Sequence, residues 1–449
     1  MRLLSHRLFA AGIGVTLFVT ASCSDTTDPG VQVATVLTRV PSDSLFYGQT
    51  MRALSVAVGD SATVAHAEIA WMSSDTAVAI VDATGTILGV GIGAATITAS
   101  FGGKQDSFVV RVVLQRVDAG VAFADGSGSY AGQCALSSIG EVYCRTTARS
   151  DPRQVYERMP GGEGLVFSSI HTALNSQCGL VTTGQIYCWG RNAHWIFASR
   201  EPGRADDAPT AVKTDLRFKT MMTAGHSSIC GVSAADDVLY CWGHNDLNQL
   251  GREPAVASDS VPAPVAGNIK AKMVSGSNSP ACALDLAGAA YCWAGSAGEL
   301  GIADTTGRIR TPMPVTGGLT FASIAAGDAH RCAIDPAGDA YCWGSNGDGA
   351  LGIGTTVPPP DIGPQRVVGG LKFASLTPWW PGTSSGTCGI TLDGDLYCWG
   401  AFTPAAIHAR IGARATTPYQ IARGVKFRGL SRYFEDVCGI TEEGHAVCW

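Results

Sequence analysis

The sequence predicts an all-β protein in two parts, a small β-sandwich followed by a seven-bladed β-propeller with one disulfide per blade. Three observations carry this. Fourteen of the fifteen Cys form pairs ten or eleven residues apart: Cys134 with Cys144, Cys178 with Cys188, Cys230 with Cys241, Cys282 with Cys292, Cys332 with Cys342, Cys388 with Cys398, and Cys438 with Cys448. A leading residue precedes each pair (Phe123, Phe167, Phe218, Ala271, Phe321, Phe373, Phe427), giving a period of about 50 residues, in the range of propeller blades. Composition agrees, with 56 Gly in 449 residues and only 15% charged residues, as expected of a turn-rich β chain.

Residues 1–22 read as an export signal. Arg2, His6 and Arg7 precede an apolar core, Leu8–Val19, too short to be a transmembrane helix. Thr20-Ala21-Ser22-Cys23 resembles a bacterial lipobox, in which Cys23 becomes the acylated N-terminus. The alternative is an ordinary secretory signal, but Cys23 is the one Cys left over from the pairing. Ser24 in place of Asp favours the outer membrane, with the lipid as sole anchor, facing periplasm or cell surface. Residues 23–32 form a tether that spans about 30 Å when extended.

Residues 33–113 alternate short β-rich runs with turns, as in MRALSVAV, AEIAWMSS and DSFVVRVV. Trp71 is the expected core aromatic and Asp82–Gly85 a hairpin turn. The stretch resembles the group 2 bacterial Ig-like domain in Tyr47-Gly48-Gln49, Ala70-Trp71, Ser73-Ser74-Asp75, Val78-Ala79, Val81-Asp82, Gly85, Gly93 and Thr96-Ile97. The resemblance implies a spacer or stalk.

Residues 114–449 hold the repeats. Each unit is expected to supply four strands: a Pro-x-x-Val segment (Pro209 to Val212, Pro364 to Val367), the Phe-led one, and two joined by the Cys hairpin. Between Cys178 and Cys188 the midpoint is Thr183, with Gly184 next. A three-residue loop with left-handed Gly then sets both sulfurs on one face at bonding distance. Seven bridges inside hairpins imply an oxidising compartment. Structural zinc would need short Cys spacings and two such pairs brought together, whereas each pair here lies in its own repeat.

Ala224-Gly225-His226, the Cys-x-Ile or Cys-x-Leu and Gly-x-x-Tyr-Cys-Trp-Gly elements, and Gln249-Leu250-Gly251, Glu299-Leu300-Gly301 and Ala350-Leu351-Gly352 together resemble the regulator-of-chromosome-condensation repeat family in its disulfide-bearing bacterial form. That resemblance implies a seven-bladed propeller. The first repeat departs from it with Arg145 in place of Trp, and the second and sixth replace the Leu-Gly element with long irregular stretches. QRVDAGVAF at 115–123 aligns with QRVVGGLKF at 365–373, so Gln115–Val117 is expected to complete the blade of Cys438–Trp449. The alternative is a truncated chain.

Function is less legible. A net charge of −6 without a block of Lys and Arg argues against nucleic acid. No catalytic or nucleotide motif stands in a suitable context. His226 and His330 read as structural imidazoles, and Asp125–Ser129 and Asn346–Gly349 as turns rather than calcium loops. The expectation is no enzyme, cofactor or metal. Apolar loops offer a better lead: Pro378-Trp379-Trp380-Pro381 lies in a four-residue insertion, and 191–208 carries Trp195 and Phe197. Aromatic residues in loops bounded by Pro and Gly resemble binding hot spots, the alternative being that both Trp rings pack on the neighbouring blade. The leading expectation is an envelope-anchored monomeric scaffold binding a protein partner; the alternative is a carbohydrate or cell-wall adhesion protein. Relatives that act as GTPase exchange factors imply no such role here, since an exported chain would not meet a cytosolic GTPase.

Overall fold

The computed structural model describes residues 33–46, 49–59, 63–64, 69–91, 93–113, 123–129, 132–145, 156–173, 176–191, 205–224, 228–253, 258–277, 280–303, 307–359, 362–379, 385–401, 414–433 and 436–448. The export signal, Cys23, the tether, Gln115–Val117, Trp195, Phe197, His226, Trp380 and Trp449 lie outside them.

The N-terminal part is built of three small sheets. Val33–Arg39 pairs with Leu54–Gly59, which pairs with Thr63–Val64. Ser44–Phe46 runs parallel to the end of Lys104–Val113, which pairs with Gly93–Phe101 and, through it, Ala70–Ser73. Thr50–Arg52, Thr86–Gly89 and Ala79–Val81 form the third. Alternation puts Ala95, Ile97 and Ala99 inside, together with Val110 and Val112. Ile87 and Ile97 are fully buried, whereas Trp71 is half-buried and packs against this core from its margin. Asp82 caps the expected turn, accepting from the Thr84 and Thr86 amides at 2.8 and 2.9 Å.

From Phe123 onward the described residues form seven antiparallel sheets, numbered here by their Cys pairs in chain order. Six have four strands and the seventh has three: Phe427–Tyr433, Asp436–Thr441 and Ala446–Cys448. In each, the first strand carries the leading residue or begins within two residues of it, and the next two form the Cys hairpin. First strands of successive sheets lie side by side, and Phe427–Tyr433 runs beside Phe123–Ser129, which closes the ring. The fourth sheet is accompanied by a two-stranded ribbon, Gly295–Ser296 with Arg308–Ile309, and a single helical turn, Ala297–Leu300.

The Cys spacing works as expected. Within each hairpin the two Cys are direct cross-strand partners. Cys134 is bonded to Cys144, Cys178 to Cys188, Cys230 to Cys241, Cys282 to Cys292, Cys332 to Cys342, and Cys388 to Cys398, with Cα atoms 4.0–4.1 Å apart. The expected seventh bridge, Cys438 with Cys448, concerns side chains outside those described. Each bridge closes a loop worth about 2.5–3 kcal/mol by chain entropy.

Phe167, Phe218, Phe321, Phe373 and Phe427 are almost wholly buried. The residue after the first Cys is Gly or Ala in every unit. In three of the Gly units the reason is steric: a Cβ on Gly179, Gly231 or Gly389 would fall 2.4–2.6 Å from the leading Phe ring of its sheet. Burying each Phe stabilises its sheet by about 1.5–3 kcal/mol.

Candidate functional site

A four-stranded meander places its first-to-second and third-to-fourth connections at one end, and its Cys-hairpin turn and the link to the next sheet at the other. The ring therefore has a loop end and a turn end, and they differ chemically.

At the turn end the hairpins are regular and charge-paired. Asp285 and Asp335 each accept an amide at 2.8 Å across their own turn, from Ala289 and Asp339 respectively. Asp339, at the fifth hairpin, receives Lys372 from the start of the sixth sheet at 2.8 Å and Arg366 at 2.6 Å. Hydrogen bonds from Lys372 and then Arg366 hold its carboxyl below the usual range. Lys426 and Asp395 repeat the contact between the seventh and sixth sheets at 2.9 Å, which raises the Lys426 ammonium. These charges are committed to the ring's own joints.

Below the loop end lies a joint that repeats. The Trp of Tyr-Cys-Trp is buried in sheets two to six. Trp293 Nε1 donates to the Gln249 carbonyl of the preceding unit at 2.8 Å, Trp343 to Leu300 at 3.0 Å and Trp399 to Ala350 at 2.8 Å. The Leu-Gly element is thus a receptor for the next unit's indole. Its Gly has positive φ at 251, 301 and 352, and a Cβ there would meet the indole at 2.7–2.9 Å. Asn245 and Asn346 set the receptor's shape, each accepting from an amide five residues on, Leu250 at 2.9 Å and Leu351 at 3.1 Å. Neither role was expected from sequence, although Trp-Gly-x-Asn occurs at both places.

The loop end itself is irregular. The long connections leave and re-enter the sheets at three register pairs: Arg191 with Ala205, Trp379 with Gly386, and Ala401 with Arg414. Trp379 is a correction to the hot-spot expectation. It ends the first strand of the sixth sheet, is 6% exposed, and lies over Gly386, whose Cβ would be 2.5 Å from the ring. It is a core residue. Asp125–Ser129 is a second correction: it belongs to a strand paired with Gly132–Ser137 and is no turn. Asn346–Gly349 is the expected turn, with Asp348 accepting from the Ser385 amide at 2.8 Å and paired with Arg414 at 3.2 Å.

His330 is fully buried, and its Nε2 lies 2.7 Å from Thr387 Oγ1 of the sixth sheet, as a structural imidazole would. Arg331 beside it is also fully buried and donates to the Glu299 carbonyl at 3.1 Å; burial lowers its guanidinium to about 10. Among the described residues no group of three His, Cys, Asp or Glu could hold a metal, and no helix is long and apolar enough to cross a membrane.

Comparison with known proteins agrees with this architecture. Yeast RCC1 (Prp20), solved bound to Kap60, superposes with a TM-score of 0.57 at 18% identity, covering 71% of this chain and 77% of that one. Human WBSCR16 gives 0.58 at 13% identity, covering 78% and 90%. Prp20p from Saccharomyces cerevisiae, described with its binding to Gsp1p and histones, gives 0.57 at 18%, covering 71% and 80%. These likenesses establish the fold. No curated protein matches the sequence. Residues 43–111 match the Bacterial Ig-like domain (group 2), and residues 321–350, most of the fifth unit, match the Regulator of chromosome condensation (RCC1) repeat. The chain therefore carries a group 2 bacterial Ig-like domain and, within a β-propeller fold like that of yeast RCC1, an RCC1 repeat at 321–350.

Proposed function

We propose that the protein is an exported, non-enzymatic scaffold that binds a protein partner through the loop end of its ring. One observation carries this reading: the long non-repeating connections of sheets two and six, and the insertion after Trp379, all start and finish at that end. Variable segments on a rigid ring are the usual site of recognition. The turn end, by contrast, uses its charges in joints between sheets. Neighbours of the same fold with protein partners, Kap60, Gsp1p and histones for the yeast protein, support a protein ligand. Those partners themselves are not carried over.

The six bridged hairpins among the described residues support an oxidising compartment. With Cys23 acylated, residues 23–32 and the Ig-like domain would serve as tether and stalk at the outer membrane. Burial of Trp379 removes half the motive for a glycan platform, so the protein ligand is the better-supported reading.

The test is capture from envelope extracts with the exported chain, against versions in which 192–204 or 402–413 is replaced by Gly and Ser segments of equal length. Loss of a specific protein with unchanged melting supports the loop end. Retention by both replacements, and by a third that replaces 380–384, would place the site elsewhere.

A further inference from the structure

The six described bridges are not equally protected. Both partners are 0% exposed in five of them: Cys178 with Cys188, Cys230 with Cys241, Cys282 with Cys292, Cys332 with Cys342, and Cys388 with Cys398. In the first sheet Cys134 is 4% exposed and Cys144 is only half-buried, at the margin of its core cluster. Trp189 of the second sheet packs in the same cluster as Cys134 but leaves Cys144 at its margin. Disulfide exchange requires a thiolate to reach a sulfur, so exposed bridges react and sealed ones do not.

We propose that the bridge between Cys134 and Cys144 is a thiol–disulfide exchange site, opened by a dithiol reductant while the five sealed bridges stay closed. A reductant thiolate attacks Cys144 Sγ, the S–S bond breaks, and Cys134 leaves as thiolate. The second reductant thiol, as its thiolate, then attacks the mixed disulfide, freeing Cys144 as thiolate and closing the reductant's own disulfide. Two electrons pass from the dithiol to the protein, and solvent sets the protonation of the freed thiols.

The location gives the reaction a consequence. The bridge ties Gly132–Ser137 to Val142–Arg145, and the first strand of this sheet runs beside Phe427–Tyr433, where the ring closes. Opening it loosens the closing seam while the Trp joints of sheets three to six remain intact. That this alters partner binding rests on the reading of the loop end above.

The test treats the folded chain with graded dithiothreitol, quenches with iodoacetamide and maps the alkylated peptides. Cys134 and Cys144 are expected to label at least about tenfold faster than the five sealed pairs. Labelling of any sealed pair at the same rate, or of all pairs together with loss of β signal, would overturn the proposal. The Cys134→Ser, Cys144→Ser double variant is expected to lose the fast-labelling peptides while the five sealed pairs stay unlabelled at the selective dose; labelling of those pairs at that dose counts against the site. Capture measured on the same samples separates the two readings. Capture that survives selective opening removes the consequence for binding, whereas a chain that captures nothing before reduction counts against the loop end alone.

Discussion

Sheets three to six and sheets one and two share the same bridged hairpins but are joined differently. The indoles of sheets four, five and six each donate into the preceding unit's Leu-Gly element. In the second sheet Trp189 turns to Gln177 of its own sheet, and the first has Arg145. The contrast separates two jobs within the repeat. Disulfides strengthen hairpins one at a time, since each closes a short local loop. Cohesion around the ring comes from the indole, which buries a large apolar surface and satisfies a carbonyl across the joint.

The largest expected effect is at a locked joint. Trp343→Ala should cost about 3–5 kcal/mol, because it empties a fully buried site and removes the donor to the Leu300 carbonyl. Trp189→Ala gives up a hydrogen bond within one sheet and should cost less. Equal losses in heat unfolding would erase the distinction.

A finer probe compares Gly352, in the receptor for Trp399, with Gly354 just beyond it. Both have positive φ, 69° and 87°. A Cβ on Gly352 would lie 2.8 Å from Trp399 Nε1, whereas one on Gly354 would meet nothing within 4 Å. Gly354→Ala should therefore cost only backbone strain, about 1 kcal/mol, and Gly352→Ala about 1–3 kcal/mol more. Matching melting shifts for the two variants would show that the indole does not rest on the receptor.

The smallest effect concerns acid. His171, opposite Cys178 in the second sheet, keeps part of its surface open, but the protein packed around its imidazole lowers it to about 4 from the ordinary 6.5. Between those values the unfolded chain binds a proton that the folded one does not. Stability is therefore complete above pH 6.5 and falls as pH drops toward 4. His171→Gln should flatten the melting profile over that window. A wild-type slope that survives the substitution assigns the acid sensitivity to other groups.

Much of the ring was legible because strand alternation turns Cys spacing into geometry: a pair symmetric about a left-handed Gly has to face across its hairpin. The joints were not, although both halves were visible. Trp293 and Gln249 belong to different units, and nothing local links an indole to a carbonyl in the previous repeat. Trp379 was misread for a related reason. Its cover depends on Gly386, a residue across the strand pair whose missing side chain leaves room for the ring. The Gly- and Ser-rich stretch at Asp125–Ser129 has poor strand propensity, and pairing with Gly132–Ser137 overrides it.

Amide hydrogen exchange, resolved by peptide, tests the central contrast most directly. Slow exchange is expected in the first strands of the locked sheets, Ala271–Gly276, Ser323–Ala326 and Phe373–Trp379, and faster exchange in Phe123–Ser129 and Phe167–Ala173. Uniform protection around the ring, or greater protection in the first two sheets, would contradict the claim that indole joints set its cohesion.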